Sequence, residues 1–187
     1  MLKRGFDLVV ALAALIVLAP LLAAVALAVR LDSPGPAIFW SQRVGRDEKL
    51  FSMPKFRTMR VGTPQLPTHL LTDGAARLTG IGGFLRRTSL DELPQLWSVL
   101  TGAMSLVGPR PALFNQDDLL ALRRAAGVDA LRPGITGWAQ VNGRDELDLE
   151  QKVALEAEYR ARAGLLFDLR ILFVTAAQVL RPRGIAH

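Results

Sequence analysis

The chain has 187 residues, half of them hydrophobic, which allows one domain with a real core and excludes a disordered chain. With no cysteine and two histidines, it excludes disulfides, thiolate metal sites and a cysteine nucleophile, and leaves little room for a histidine triad or a zinc site. The net charge of +6 comes with 19 arginines and 4 lysines, and the arginine fork favours anionic partners such as nucleotides, nucleic acid or acidic lipid headgroups.

The first predicted element is an uncharged apolar run of 22 residues from Leu8 to Val29. As a helix it would be about 33 Å long, enough to cross a hydrocarbon core of about 30 Å. Pro20 lies in the middle of the run, where it removes a backbone hydrogen bond and favours a break. Basic residues flank both ends, which conflicts with the positive-inside rule for a span. We therefore predict a re-entrant helix-break-helix over residues 1–31 that enters one leaflet and returns, with a spanning helix as the alternative.

Residues 32–187 are predicted to form a second, compact domain on the cytoplasmic side of the membrane. Two β-prone pieces, Ala37–Trp40 and Leu50–Met53, flank a polar stretch and predict a small β-hairpin. Apolar periodicity predicts helices over about 89–100, 115–126, 149–163 and 165–180. The last of these is either a core helix or one lying in the membrane interface. The fold class is therefore α+β and mostly helical.

The stretch "TSLDELPQL", Thr88 to Leu96, has two interpretations. Ser89 and Glu92 match a capping box, in which each side chain satisfies the other's backbone donor at a helix start. Alternatively, the adjacent acids Asp91 and Glu92 carry chemistry. Trp97 lies on the apolar stripe of the predicted helix and is expected in the core.

Two turn-rich segments follow the acidic pair. In "LVGPRP", flanking prolines stiffen the turn that presents Arg110, although a simple surface turn has the same pattern. The segment "RPGITGWAQVNGR", from Arg132 to Arg144, combines turn signals with Gln140, Asn142 and Arg144. Such a loop is suited to hold a heterocycle and its phosphates.

Taken in order, several motifs resemble the bacterial sugar transferase family, the monotopic phosphoglycosyl transferases. They are "KRGFDLVVA", the proline-broken apolar helix, "DSPGPAIFWSQRVG", "KFRTM", "FLRRTSLDELPQL", "MSLVGPRP" and "RPGITGWAQVNGR". The resemblance covers essentially the whole chain, and the chain is similar to the small, minimal form of the family. It favours the catalytic interpretation of Asp91 and Glu92, which is compatible with a helix start because such a terminus suits a phosphate.

The resemblance implies transfer of a sugar phosphate from a UDP-sugar to polyprenol (undecaprenyl) phosphate, with release of UMP. This would be the first membrane step of bacterial glycoconjugate synthesis. Asp91 would be the nucleophile of a covalent phosphosugar intermediate and would sit on or beside Mg²⁺. Glu92 would support the metal or act as a base. Residues 32–187 would then be the catalytic domain.

Further expectations follow from the same resemblance. Arg86 and Arg110 are expected to contact the substrate phosphates. Contacts to the nucleotide or sugar are expected from Lys55, Arg57, Gln140, Asn142 and Arg144. The expected location is the cytoplasmic face of the inner membrane, with monotopic attachment, no nucleic-acid partner and downstream glycosyltransferases as possible partners.

The sequence departs from the family pattern at Glu48, where a glycine is usual, and at Ser98 and Ala103. The first departure puts a local turn in question, but none touches the acidic pair. Two other functions are compatible with parts of the sequence. One is a membrane phosphatase acting on polyprenol diphosphate with water as acceptor. The other is a basic, membrane-tethered binding module without enzymatic activity.

Overall fold

The computed structural model describes residues 2–65, 74, 76–143 and 146–180 and confirms a mostly helical chain with a few short strands. The α-helices of the described part are α1 (Leu2–Asp32), α2 (Gly82–Arg87), α3 (Leu96–Thr101), α4 (Asp117–Ala125), α5 (Trp138–Val141), α6 (Leu149–Arg162) and α7 (Leu165–Leu180). The strands are β1 (Ile38–Val44), β2 (Leu50–Phe56), β3 (Ser105–Val107), β4 (Ala112–Leu113) and β5 (Gly134–Thr136). Short 3₁₀ helices cover Arg46–Glu48, Leu90–Gln95 and Val128–Ala130.

The long apolar helix α1 is a single helix with Pro20 inside it, so the expected division into two helices is not observed. A proline removes one N–H···O=C hydrogen bond, at a cost of about 3 kcal/mol. In a helix of 31 residues the hydrogen bonds on either side of Pro20 are enough to keep the helix continuous. By length and composition this helix could cross a membrane. The re-entrant path of α1 through the membrane stays a prediction.

The N-terminal end of α1 is fastened to the rest of the chain by polar contacts. Lys3 pairs with the buried carboxylate of Asp168 on α7 at 2.5 Å. The guanidinium of Arg4 donates to the carbonyls that end α3, at 2.6 and 3.0 Å. Asp7, 3% exposed, accepts a 2.8 Å hydrogen bond from Ser105 at the start of β3. The "KRGFD" motif is therefore an attachment of α1 to the domain.

The C-terminal end of α1 is attached to the same domain through one arginine. Arg57, which follows β2 and is 4% exposed, donates to the carbonyls of Ser33, Pro34 and Pro36 at 2.6–2.8 Å. Between the two ends, one face of α1 packs against two apolar clusters, with Ala11 in the first and Val29 in the second. Both ends and one face of α1 therefore contact the domain.

The predicted hairpin is confirmed and extended. Strands β1 and β2 pair antiparallel with Phe39 opposite Lys55 and Arg43 opposite Phe51, and β4 joins the other edge of β1. In the hairpin turn Glu48 has φ 57°, in the left-handed region that favours glycine, which is the physical reason why a glycine is usual at this position. Its carboxylate accepts two 2.9 Å hydrogen bonds from Arg124 on α4, which offsets part of the backbone strain.

The segment around the acidic pair differs from the predicted single helix. A 3₁₀ helix over Leu90–Gln95 precedes α3, and the expected capping box is wrong: Ser89 makes no side-chain cap, and Glu92 points to cations instead. Trp97 is 54% exposed, so its expected place in the core is also wrong. The 3₁₀ helix before α3 shifts the apolar stripe, and the buried positions of α3 are Leu96, Ser98 and Val99.

The three C-terminal helix predictions are confirmed to within two residues. Helix α7 buries Phe167 and Ile171 in the first apolar cluster but exposes Leu166, Phe173 and Val179. The core interpretation of α7 is therefore confirmed for one face, and the interfacial interpretation stays a prediction that the exposed apolar face of the helix allows. The parallel pair β3–β5 lies beneath α7 and leads into the turn that carries Arg110.

Candidate functional site

Six charged side chains from five parts of the chain meet beside β2, and we call them the charged cluster. Its members are Arg43, Lys55, Arg86, Asp91, Glu92 and Arg110. A narrow cleft beside the cluster is lined by Arg43, Met53, Lys55, Gln95, Arg110 and Pro111. Four cations against two carboxylates leave a positive excess, which suits an anionic ligand.

The backbone places the two acids by an abrupt change of direction. Helix α2 ends at Arg87, and Ser89 then adopts φ 55°, a conformation that non-glycine residues rarely take. The 3₁₀ helix that follows packs against β2, which brings Asp91 and Glu92 next to Lys55. Backbone strain two residues before Asp91 is a feature often found at functional sites.

Glu92 joins two cations from different parts of the chain. Its Oε1 accepts hydrogen bonds of 2.7 Å from Lys55 Nζ on β2 and of 2.7 Å from Arg110 Nη2 on the β3–β4 turn. Burial disfavours the charged form of Glu92, but the charges and hydrogen bonds of Arg110 and Lys55 outweigh it and hold the pKa of Glu92 well below its usual range. Glu92 is therefore ionised and fully engaged, which makes it an anchor for cations and a poor general base.

Asp91, unlike Glu92, is buried without being held by hydrogen bonds from the described residues. It is 7% exposed, and none of the residues that the structure describes forms a hydrogen bond with its carboxyl group. Burial raises the pKa of Asp91 to about 6; the Lys55 charge opposes the rise, the Glu92 charge adds to it, and Arg86 and Arg110 oppose it. A buried carboxylate that lacks hydrogen bonds and faces three cations is available for an incoming ligand.

Lys55 and Arg86 complete the surroundings of the acids. Burial lowers the pKa of Lys55, although the carboxylates of Glu92 and Asp91 favour its charged form. Burial also lowers the pKa of Arg86, against the charge of Asp91, and Arg86 Nε donates to Thr58 Oγ1 at 3.0 Å. That hydrogen bond fixes the guanidinium at the end of α2, on the side of the cluster facing Asp91.

Arg43 belongs to the cluster although sequence reasoning did not select it. It donates from Nη1 to the Pro111 carbonyl at 3.1 Å, and burial together with the charge of Arg110 lowers its pKa to about 10. Only the register of the hairpin places Arg43 on the same face as Lys55. The sequence carried no signal for it, because Arg43 lies in the polar stretch between the two predicted strands and joins β1 only in the structure.

The segment with the "GITGW" motif supports the Arg110 turn from behind. Gly108 N donates to Thr136 O at 2.9 Å, and Gly134 N donates to Pro109 O at 2.8 Å. A Cβ on Gly134 or Gly137 would lie 2.1 Å from backbone atoms of Gly108, so the two segments touch only because these residues are glycines.

The other expected ligand contacts are not brought into the cluster. Arg57 is used by the carbonyls that follow α1, which gives it a structural task in place of the expected substrate contact. Gln140 has a buried amide, close to Gly137, that finds no hydrogen-bond partner among the described residues, and Asn142 donates to the Trp138 carbonyl at 2.7 Å. Arg144 lies outside the described residues.

A magnesium ion is compatible with the cluster through one open carboxylate. Within residues 2–65, 74, 76–143 and 146–180, no group of three or more histidine or acidic side chains forms a ready-made metal cage. Mg²⁺ commonly binds one or two carboxylates together with substrate phosphates and water, and Asp91 is the carboxylate of the cluster to which no described residue donates a hydrogen bond. The donor set therefore fits a metal that arrives with an anionic substrate.

The pKa of Asp91 predicts a pH dependence. If Asp91 must be ionised to act, kcat/KM rises with pH through about 6 and levels off above it, because the carboxyl group is protonated below that value. Steady-state rates between pH 5 and 8 measure this limb. A rate independent of pH over that interval would show that Asp91 ionisation does not control the reaction.

The cluster places four cations and two carboxylates beside β2 in a fold with a long apolar helix, an arrangement suited to a phosphorylated, anionic ligand. The chain belongs to the bacterial sugar transferase family, whose family model matches residues 1–182. The resemblance drawn from the sequence motifs is thereby confirmed.

Named relatives agree with this assignment. The UDP-glucose:undecaprenyl-phosphate glucose-1-phosphate transferase of Escherichia coli (strain K12) is 44% identical over 182 residues, which are 94% of this chain and 39% of that protein. The undecaprenyl-phosphate galactose phosphotransferase of Salmonella typhimurium is 40% identical, over 98% of this chain and 41% of that protein. The exopolysaccharide production protein PSS of Rhizobium leguminosarum bv. phaseoli is 39% identical over 98% of both. The chain thus spans about two fifths of the first two relatives and nearly all of the third.

Proposed function

We propose that this chain transfers a sugar phosphate from a UDP-sugar to undecaprenyl phosphate or a similar polyprenol phosphate. The observation that carries the proposal is Asp91, a buried carboxylate that faces Lys55, Arg86 and Arg110 and receives no hydrogen bond from the described part of the chain. Relatives named for transfer of glucose or galactose phosphate to the same lipid support this substrate class.

The proposed reaction has two displacements at one phosphorus. A carboxylate oxygen of Asp91 attacks the sugar-bearing β-phosphorus, the bond to the bridging oxygen breaks, and UMP leaves with that electron pair. A phosphate oxygen of the polyprenol phosphate then attacks the same phosphorus, and the Asp91 carboxylate is released unchanged. The products are UMP and a polyprenol diphosphate sugar, so atoms and charge balance without another reactant.

The cations of the cluster give these steps a physical basis. A carboxylate that approaches a diphosphate meets like-charge repulsion, and Arg86, Lys55 and Arg110 lower that repulsion by binding phosphate oxygens. Asp91, together with the substrate phosphates, would hold a Mg²⁺ ion, which would supply further charge neutralisation. Glu92 keeps Lys55 and Arg110 in place, which is the positioning that phosphoryl transfer rewards most.

We also propose attachment to the cytoplasmic face of the inner membrane without a span. A spanning α1 would separate its ends by about 30 Å of hydrocarbon, yet Lys3 and Arg57 tie both ends to one domain. The exposed apolar faces of α1 and α7 are suited to lie in the same leaflet. Such a path brings the lipid phosphate and Asp91 to a common depth.

Site-specific labelling tests this path, and the absence of native cysteine makes it clean. Leu2→Cys and Leu31→Cys, at positions 75% and 78% exposed, report the two ends of α1, and Asp118→Cys reports the domain. We expect a membrane-impermeant maleimide to label all three in inside-out vesicles and none in intact cells. Labelling of Leu2→Cys alone in intact cells would contradict the re-entrant path.

Product analysis tests the proposed activity. The solubilised protein is incubated with Mg²⁺, undecaprenyl phosphate and either UDP-glucose or UDP-galactose, and the soluble products are separated. UMP formed with an equal amount of lipid diphosphate sugar is the expected result. Free phosphate from a polyprenol diphosphate would instead identify a phosphatase, and salt-dependent DNA binding without turnover would identify a binding module.

A further inference from the structure

A buried ion pair lies directly behind the turn that carries Arg110. Arg123 on α4 and Glu156 on α6 are 7% and 2% exposed. The Arg123 guanidinium donates two hydrogen bonds to the Glu156 carboxylate, of 2.7 Å from Nε and 2.5 Å from Nη2. Neither residue belongs to the charged cluster, and the proposed chemistry does not use them.

The same guanidinium reaches the turn itself. Nη2 of Arg123 donates a 2.9 Å hydrogen bond to the backbone carbonyl of Arg110. One residue further on, Arg43 Nη1 donates to the Pro111 carbonyl at 3.1 Å. Two arginines from different elements therefore hold successive carbonyls of the turn, and the Arg110 side chain donates to Glu92.

We propose that Arg123, oriented by Glu156, is a positioning residue for Arg110 in the reaction. This inference rests on the proposed transferase activity and adds a residue to it. Arg123 fixes the peptide that carries Arg110, and the Arg110 guanidinium thereby meets the substrate phosphate without first having to order the turn. A misplacement of about 1 Å in such a group is enough to lower a rate about 10²-fold.

Stability alone is a poor explanation for this pair. Buried ion pairs lose much of their attraction to desolvation, and apolar residues of similar volume often serve as well. What an apolar pair cannot supply is the third hydrogen bond, to the Arg110 carbonyl. Lysine cannot supply the planar arrangement in which one guanidinium meets a carboxylate and a carbonyl together.

The test uses two variants in the full chain. Arg123→Lys keeps the charge but loses the fork, and the double variant Arg123→Met with Glu156→Leu keeps the interior apolar and filled, so that folding survives. For both we expect kcat/KM for UMP release to fall roughly 10- to 100-fold, with a melting temperature close to that of the wild type for the double variant. Arg124→Lys, which alters the neighbouring surface pair with Glu48, is the matched control and should keep wild-type rates.

Non-additivity distinguishes positioning from a general loss of structure. In an Arg110→Ala background, the same Arg123 changes should lower kcat/KM by less than about twofold, because the group that Arg123 positions is already gone. Losses that multiply in full with Arg110→Ala, or wild-type rates in the Met–Leu variant, would overturn the inference. If the wild-type protein releases no UMP, the proposed function fails and the inference with it, whereas additive losses in an active enzyme refute the inference alone.

Discussion

Replacing Asp91 by asparagine is expected to abolish transfer and to stabilise the protein at the same time. Asparagine keeps the shape of the side chain but cannot form the acyl phosphate bond, so UMP release should fall by roughly 10⁴-fold or more. Intact mass measurement after incubation with the donor and Mg²⁺, without lipid acceptor, should show one added phosphosugar on the wild type and none on Asp91→Asn. An adduct that persists in Asp91→Asn would exclude Asp91 as the nucleophile.

The stability effect follows from the raised pKa of Asp91. Because the pKa of Asp91 rises from 3.8 to about 6 on folding, the folded state binds that proton more tightly than the unfolded state. The resulting penalty is absent below pH 3.8, grows as the pH rises to about 6 and is complete above it. Removal of the ionisable group should therefore raise the free energy of unfolding at pH 7.5 by on the order of 3 kcal/mol.

Thermal unfolding of both proteins at two pH values checks the sign. The melting temperature of Asp91→Asn should exceed that of the wild type at pH 7.5, and the difference should disappear near pH 4. Asp118→Asn, at an exposed position on α4, is a matched control without an expected gain. A lower melting temperature for Asp91→Asn at pH 7.5 would mean that the ionised Asp91 stabilises the fold.

Glu92→Gln should give the second-largest loss of activity, for a different reason. The variant removes the charge that anchors Lys55 and Arg110, so both cations lose their shared partner and the charge arrangement around Asp91 changes. We expect kcat to fall roughly 10²- to 10³-fold, the size observed when one preorganised electrostatic group is removed from an active site. The phosphosugar adduct should still form, but slowly, since Asp91 is present.

A matched control and a pH profile make this prediction specific. Glu158→Gln also removes a glutamate from an ion pair, with Arg162, but far along the chain on α6, and should keep the wild-type rate within about twofold. Because the Glu92 charge raises the pKa of Asp91, its loss should also move the acid limb of the rate profile to lower pH. Wild-type turnover in Glu92→Gln would show that Lys55 and Arg110 need no anchor.

The sequence predicted the elements with strong periodicity and the acids of the site, but not how the site is arranged. The long apolar helix and the helices near the C-terminus have patterns that survive in the fold because whole faces are buried. The predictions of a capping box at Ser89 and a buried Trp97 were wrong because Ser89 itself adopts a left-handed conformation, which changes the direction in which the following side chains point. A local sequence pattern does not show which side chains of this segment face the interior, because the tertiary contacts of Glu92 with Lys55 and Arg110 determine that orientation.

Site residues divide in the same way. Motif order was enough to select Lys55, Arg86 and Arg110, which the structure brings together with the acids. Arg57 carries the same charge in the same motif as Lys55, but it lies just beyond the end of β2, where the carbonyls that follow α1 accept its hydrogen bonds and give it a structural task. Arg43 and Arg123 were missed because their roles depend on strand register and helix packing, and neither can be read from single-sequence spacing.

The attachment of Lys3 to Asp168 also sets an order of events during synthesis. The two residues are 165 positions apart, so the partner of Lys3 is translated long after α1. At roughly 5–20 residues per second, the apolar helix waits on the order of 10–30 s after its own synthesis before that contact can form. Over that time its apolar face lacks the α7 contacts of the finished fold, and with the proposed membrane attachment we expect the helix to reach the lipid before the fold is complete.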